Sequence, residues 1–168
     1  MKHLIIILLI FSIEINAQDY SKEIGKSTFE YRELFLEKNF AELANYASPK
    51  LIQHLTTKQD FVYLLTELNK NAESNAAKIT DISFGKYSEI VVHNEQLQCS
   101  IPFTLEMEDE NEKRKVTFNA GLALISFDKG KTWLFTFKVE QDQKLNNEIL
   151  DLDSRILIAV KTQNIVIK

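Results

Sequence analysis

The sequence contains a single cysteine, Cys99, in 168 residues, so no disulfide can form within the chain. Stability must then come from a packed apolar core rather than from covalent cross-links. Basic residues are also few relative to acidic ones, with 20 Lys and Arg against 24 Asp and Glu and a net charge of -4. Because no basic stripe appears along the chain, the sequence gives no electrostatic basis for binding nucleic acid.

The sequence lacks an apolar run long enough to span a membrane. Its longest run at the N-terminus covers Leu4 to Phe11 after the basic Lys2, and a membrane helix needs ~20 apolar residues. A basic start, a short apolar run and a small residue at Ala17 are typical of a secretory signal peptide. We therefore expect residues 1–17 to be removed and the mature chain to begin at Gln18, with an uncleaved N-terminal anchor as the alternative.

This signal predicts an exported protein, located in the periplasm or secreted. No cysteine lies near the expected cleavage site, so attachment of a lipid is not expected. The mature chain should carry no stable membrane anchor and, at about 150 residues, has enough length for one packed core.

The first part of the mature chain has the apolar spacing of helices. An amphipathic helix ending near residues 38–39 is predicted by Ile24, Tyr31, Leu34 and Phe35. Short helices are predicted over residues 40–46 and 49–55, where Asn39 and Ser48 are candidate N-caps. Thr57 is a candidate N-cap for a further amphipathic helix, whose apolar side carries Phe61, Leu64, Leu65 and Leu68.

After Ile79 the spacing of apolar residues changes from helical to alternating. The clearest alternation runs through Leu97, Cys99, Ile101, Phe103, Leu105 and Met107. Such alternation predicts a strand with one buried and one solvated face. Residues 88–93, 116–127 and 132–139 add further strands, which gives at least four antiparallel strands in hairpin order. A glycine inside the second long strand, Gly121, predicts a bend or bulge there.

This order of elements resembles the cone-shaped fold of the nuclear transport factor two-like superfamily, over roughly residues 20–140. The resemblance implies an α+β fold in which N-terminal helices pack on a curved antiparallel sheet of four or more strands. It assigns residues 18–140 to this domain and leaves residues 141–168 as a C-terminal extension, with a short helix and one or two strand-like pieces. A strand between the helices, common in that superfamily, is not evident here.

The same resemblance implies a pocket between helices and sheet. Its expected lining residues are Tyr31, Phe35, Phe61, Leu65, Phe103 and Asn119. Some members of the superfamily are isomerases or dehydratases, and others are noncatalytic binding or accessory domains. No cofactor is implied.

Residues 126–133 resemble an Asp-box, the hairpin motif repeated in sialidases and other propellers. We expect Asp128 to accept hydrogen bonds from turn amides, Gly130 to adopt a positive φ, and Trp133 to pack beneath the turn. A single copy cannot build a propeller, which needs several blades of ~40 residues. The motif is therefore interpreted as a structural turn, with a glycan or catalytic site as the weaker alternative.

Other groups of reactive side chains lack a catalytic or metal-binding pattern. The acidic residues between Glu106 and Glu112 lack the alternating oxygens and central glycine of a calcium loop, so they are interpreted as a solvated hairpin tip. His54 and His93 lie in no spaced pair with each other or with cysteine, which favours surface or packing roles. Cys99 shares the apolar alternation and is expected to be a buried, inert thiol.

The alternating faces carry no base that an isomerase-like pocket would need. The remaining candidates for catalysis are Tyr31, Tyr63, Asn119 and Asp60. We therefore expect an exported, noncatalytic domain that binds a small apolar ligand or a protein partner. Two alternatives stay open: a pocket enzyme of isomerase or dehydratase type acting on a small substrate, and an assembly protein whose Ile-rich tail pairs with a partner strand.

Overall fold

The computed structural model describes residues 19–109 and 111–167. The predicted signal peptide lies outside these residues. Of the helices within the described ranges, none combines the length and apolarity needed to cross a lipid bilayer.

Four helices open the described chain, and the last three start at the predicted caps. They are α1 (Ser21–Leu36), α2 (Phe40–Leu43), which continues as a 3₁₀ turn over Ala44–Tyr46, α3 (Pro49–Leu55) and α4 (Lys58–Ser74). The side chains of Asn39, Ser48 and Thr57 each accept a hydrogen bond from a backbone N–H in the first turn of the helix that follows. Helix α4 runs to Ser74, beyond Leu68, where its apolar pattern ends.

The remaining elements form one antiparallel sheet with a helix between its last strands. They are β1 (Ala77–Phe84), β2 (Val91–His93), β3 (Gln96–Asp109), β4 (Arg114–Ser126), β5 (Leu134–Thr136), α5 (Gln143–Leu150) and β6 (Thr162–Ile167). The strand order is β1-β3-β4-β5, with β2 also paired to β3 and β6 also paired to β4. The sheet curls into a half-barrel with the helices packed on it, so the predicted α+β class is confirmed.

Two predicted strands are shorter than their apolar alternation. Of residues 88–93, only the three residues of β2 form a strand, and of residues 132–139, only the three residues of β5. Strand β5 pairs with β4 between Ala123 and Ile125. Just beyond, the N–H of Gly121 donates to the carbonyl of Ala159 at 3.1 Å, so the C-terminal segment occupies the β4 edge that a longer β5 would need.

Gly121 is required by close packing rather than by a bulge. The pairing of β3 with β4 keeps one register from Leu97↔Ser126 to Asp109↔Arg114, so of the bend or bulge predicted at Gly121, the bulge is not formed. The only register shift recorded among the described strand pairs lies in β1, between Ile79 and Asp81. A Cβ at residue 121 would overlap the backbone nitrogen of Ala159, which only glycine avoids.

The apolar core joins one half of the sheet to the helices and to the C-terminal segment. Cys99, Leu124 and Trp133 are fully buried on the sheet side, and Leu43 and Leu51 on the helix side. The chain after β5 adds the buried residues Leu150, Leu152, Ile156 and Ile158. Residues beyond 140 therefore contribute directly to the same core.

Candidate functional site

A cavity of about 550 Å³ lies between helices α1 and α4 and the inner face of the sheet. The helices contribute Tyr31, Phe35 and Leu65, and the sheet contributes Phe103, Leu105 and Phe118. This volume falls within the ~300–1,000 Å³ typical of small-molecule sites. The cavity is therefore the first candidate for a functional site.

Strand register explains why these apolar side chains face the same space. Phe103 is paired with Ala120 and Leu105 with Phe118, and cross-strand partners in an antiparallel sheet project to the same face. Along β3 this face is fully buried at Cys99 and Ile101 but only half-buried from Phe103 onward. One half of the inner face thus fills the core, while the other half lines the cavity.

Aromatic rings pack around Tyr31, which lines the cavity. The ring of Tyr31 lies 4.4 Å from that of Phe135 and 5.8 Å from that of Phe84, measured between centroids. Phe84 in turn lies 5.7 Å from Phe103. Burial raises the pKa of the Tyr31 phenol, so this group stays protonated and can serve as a hydrogen-bond donor rather than as a base.

Polar and charged residues of two chain segments also line the cavity. Lys138 and Glu140 follow β5, and Lys161 immediately precedes β6. The Lys161 ammonium lies 4.1 Å from the centroid of the Phe118 ring, a cation–π contact with a side chain of the cavity wall. Within residues 19–109 and 111–167, neither Lys138 nor Lys161 forms an ion pair with a carboxylate.

The structure brings four of the six predicted pocket residues to the cavity: Tyr31, Phe35, Leu65 and Phe103. Phe61 is instead buried in the core, where its ring stacks on Phe137 with centroids 6.4 Å apart. Asn119 lies between two cavity-lining residues of β4 and so projects to the other face, where it accepts a hydrogen bond from the Thr104 hydroxyl at 2.9 Å.

The sequence does not predict that Lys138 and Lys161 line the cavity. Lys138 lies in an apolar alternation that predicts a strand, and the strand ends two residues earlier, at Thr136. Lys161 belongs to the segment after α5, which had no predicted place in the fold. Nothing in the local pattern brings these two lysines to one cavity, because both positions depend on how β4 divides its edge between β5 and β6.

The turn between β4 and β5 has the predicted geometry. Asp128 accepts hydrogen bonds from the N–H groups of Lys131 at 3.0 Å and Thr132 at 2.9 Å, and Gly130 adopts a φ of 86°. Trp133 is fully buried, and its indole N–H donates to the Gly130 carbonyl at 3.1 Å. Partial burial opposes ionisation of Asp128, but these hydrogen bonds outweigh it and lower the carboxyl pKa. The turn contributes no residue to the cavity.

A second, polar concavity of about 480 Å³ lies beside His93. The imidazole Nε2 is 3.1 Å from an oxygen of Asp151, and its Nδ1 is 3.9 Å from one of Asp153. The buried side chain of Gln98 donates to the carbonyl of Asp151 at 2.9 Å and accepts from the N–H of Asp153 at 2.8 Å. These contacts fasten the chain after α5 to strands β2 and β3.

The other reactive residues lie apart from both concavities. His54 is exposed, and Cys99 is buried on the inner face of β3, as predicted. Burial raises the pKa of the Cys99 thiol to about 12, which keeps it protonated at neutral pH. In the parts of the chain that the structure describes, no group of three or more His, Cys, Asp or Glu side chains is arranged to hold a metal ion.

Comparison with known proteins assigns no family to the chain. No family model matches it, and no curated protein matches it.

Proposed function

We propose that this protein is an exported, noncatalytic domain that binds a small apolar ligand in the cavity between α1, α4 and the sheet. The observation that carries the proposal is the half-buried apolar surface of β3 and β4 that lines this cavity. Phe103, Leu105 and Met107 all belong to the inner face, yet none is fully buried.

An apolar ligand would bind because it removes this apolar surface from water. Each Å² of apolar surface removed from water stabilises a complex by roughly 25 cal/mol. Side chains of the helices and of the sheet meet around one concave space, so a single ligand can cover both walls at once. Such a site needs few polar groups to hold the ligand.

The fold supports the same proposal. Helices packed on a curled antiparallel sheet are the arrangement expected for the nuclear transport factor two-like superfamily, in which the space between sheet and helices is often a pocket. We propose membership of that fold group, with one departure: β1 follows all four N-terminal helices.

The chemistry of the lining favours binding over catalysis. Among the described residues that line the cavity there is no histidine and no aspartate, and the single glutamate is Glu140. The Tyr31 phenol is held protonated by burial, so it is unsuited to proton abstraction. An isomerase-like enzyme would need a base held against the bound substrate in the interior of this cavity.

A protein partner is the second candidate, and the C-terminal segment favours it. Leu157, Val160 and Ile165 are exposed apolar residues on or beside β6. Within the described chain, β6 pairs only with β4, which leaves its other edge available to an added strand. The cavity experiment below separates the two candidates, because strand addition at this edge does not require an apolar probe to enter the cavity.

Titration with an apolar fluorophore tests ligand binding. We expect the purified protein to bind N-phenylnaphthylamine saturably, with one site per chain and an increase in fluorescence. Replacing Ala120→Phe places a phenyl group inside the cavity opposite Phe103 and should abolish this signal.

The matched control is Ala41→Phe, which adds the same phenyl group at an exposed position of α2. This variant should bind the fluorophore like the unchanged protein. Circular dichroism of both variants checks that they fold. Absence of saturable binding, or full binding by a folded Ala120→Phe protein, would contradict the proposed function.

A further inference from the structure

The charges of the cavity lining differ in sign from the protein as a whole. The chain has a net charge of -4. The charged residues that line the cavity are Lys138, Lys161 and Glu140, so two positive charges and one negative charge give a local net charge of +1. An apolar space with a net positive lining favours a ligand that carries both an alkyl tail and an anionic head.

The two lysines lie at the cavity because β5 and β6 pair with different parts of the same edge of β4. Strand β5 ends opposite Ala123, and β6 begins opposite Asn119. Between them lies Gly121, whose N–H is bound by the carbonyl of Ala159. Lys138 lies two residues after Thr136, and Lys161 lies two residues after Ala159. Both lysines therefore lie beside the short stretch of β4 around Gly121.

The Lys161 ammonium contacts the cavity wall. It lies over the ring of Phe118, and that ring lines the cavity. This contact holds a positive charge beside apolar surface, while within the described chain no carboxylate forms an ion pair with it. An anionic head group bound there would pair with an ammonium that already lies beside the apolar wall of the cavity.

We infer that the ligand is a single-chain anionic amphiphile, such as a long-chain carboxylate, and this inference rests on the proposed function of the cavity. The head group pairs with Lys161 and Lys138. The alkyl tail lies along Leu105 and Phe103 toward the ring of Tyr31, all three of which line the cavity. Tail and head thus bind to different residues, and their contributions can be measured separately.

A matched pair of ligands tests the head group. Displacement of N-phenylnaphthylamine is measured with dodecanoate and with dodecanol, which share one tail and differ in charge. We expect dodecanoate to bind more tightly than dodecanol, by about fivefold for each lysine that pairs with it. This factor is the upper end of the strength of partly exposed ion pairs. Lys161→Gln should weaken dodecanoate by about fivefold and leave dodecanol unchanged.

Lys50→Gln is the control for net charge, because Lys50 is exposed on α3 and lies outside the cavity. It should affect neither ligand. A series of shorter carboxylates tests the tail: each methylene removed should weaken binding about fourfold, as expected from burial of apolar surface.

The outcomes separate this inference from the proposed function. Equal affinity for dodecanoate and dodecanol, together with no effect of Lys161→Gln, would overturn the anionic head group and leave apolar binding intact. Failure of both ligands and of the fluorophore to bind would overturn the proposed function and this inference together. Preferential loss of dodecanoate in Lys161→Gln, with Lys50→Gln unchanged, would support both.

Discussion

Asp128 and Trp133 stabilise the turn between β4 and β5 from its two sides. Asp128 is partly exposed and accepts hydrogen bonds from two turn amides and from the Thr132 hydroxyl at 2.7 Å. Trp133 lies beneath the turn with no exposed surface. The carboxylate acts like a helix cap by satisfying backbone donors, whereas the indole contributes through burial.

These roles predict different losses of stability. Asp128→Ala should lower the free energy of unfolding by about 1–2 kcal/mol, as loss of a capping side chain does. Trp133→Ala should lower it by about 3–5 kcal/mol because it leaves a cavity in the core. Urea unfolding measures both. Fluorophore binding by Asp128→Ala should be nearly normal at temperatures where the variant is folded.

Asp128→Asn is the matched control for this site. It keeps one side-chain oxygen for the turn amides and should lose less stability than Asp128→Ala. An Asp128→Ala protein with unchanged stability and lost binding would move the functional site from the cavity to the turn.

The contrast between this turn and Asn119 shows which residue roles a sequence can predict. Asp128, Gly130 and Trp133 act on each other within one short stretch of chain, so their residue types alone predict the geometry. The role of Asn119 depends on which face of β4 it occupies, and that face is set by pairing with Thr104 on another strand. A single residue of register separates the cavity from the outer face.

Among the elements, the segment after α5 is tied to β2 and β3 by a polar cluster. Asp151 accepts hydrogen bonds from the side chains of Asn94 at 3.0 Å and Gln96 at 3.3 Å, besides its contact with His93. Asp153 accepts from both the side chain and the backbone of Arg155. Both carboxylates are therefore bound in their ionised form.

This cluster predicts a loss of stability in acid. Desolvation raises the pKa of Asp151, but hydrogen bonds from His93, Asn94 and Gln96 outweigh it, so the pKa lies below its ordinary value. The bonds from Arg155 lower the pKa of Asp153. A depressed folded-state pKa gives stability that is complete above the unfolded pKa of ~3.9 and is lost as the pH falls through the folded value.

Asp151→Asn tests this dependence. We expect the variant to be less stable than the unchanged protein at neutral pH and to lose less further stability below about pH 4. Asparagine tolerates the left-handed backbone of residue 151, where φ is 54°, so backbone strain does not confound the comparison. Urea midpoints over a pH series measure the effect, and Glu37→Gln, at the exposed end of α1, is the control for net charge. Parallel pH profiles for Asp151→Asn and the unchanged protein would refute the role of the cluster.

The elements themselves were largely predictable, but their ends in the second half of the sheet were not. Caps and spacing located the helices because both signals lie within each helix. The alternation from Leu97 to Met107 located β3 for the same reason. The end of β5 depends on Ala159, a residue from a distant part of the chain that bonds to Gly121. No pattern around Thr136 contains that information.

At the scale of the whole molecule, the C-terminal segment completes both the core and the candidate site. Leu150 and Ile156 pack into the main core, and Lys161 lies at the cavity wall. Four of the six predicted pocket residues line the cavity because helices and sheet meet as expected for a helix-on-sheet fold. The charged part of the lining was not predictable, because Lys138 and Glu140 depend on where β5 ends and Lys161 depends on the path of residues 151–161.

The start of the described chain bears on the proposed export. Tyr20 packs edge-on against Trp133, with ring centroids 5.8 Å apart, and a Cβ on Gly130 would overlap its ring. Asp19 accepts a hydrogen bond from the N–H of Ser21 at 2.9 Å, at the start of α1. Tyr20, three residues after the expected cleavage site at Ala17, thus already contacts the fold, and cleavage there leaves this contact intact.

We accordingly predict that the exported protein begins at or near Gln18 and that the Tyr20 ring contributes to its stability. Intact-mass measurement of protein recovered outside the cytoplasm should give the mass of residues 18–168. A shorter chain that begins at Ser21 lacks the Tyr20 ring and should unfold at a lower urea concentration than the chain that begins at Gln18, because the edge-on contact with Trp133 is lost. Recovery of the protein in washed membranes with Met1 to Ala17 still attached would show instead that the N-terminal segment is an anchor.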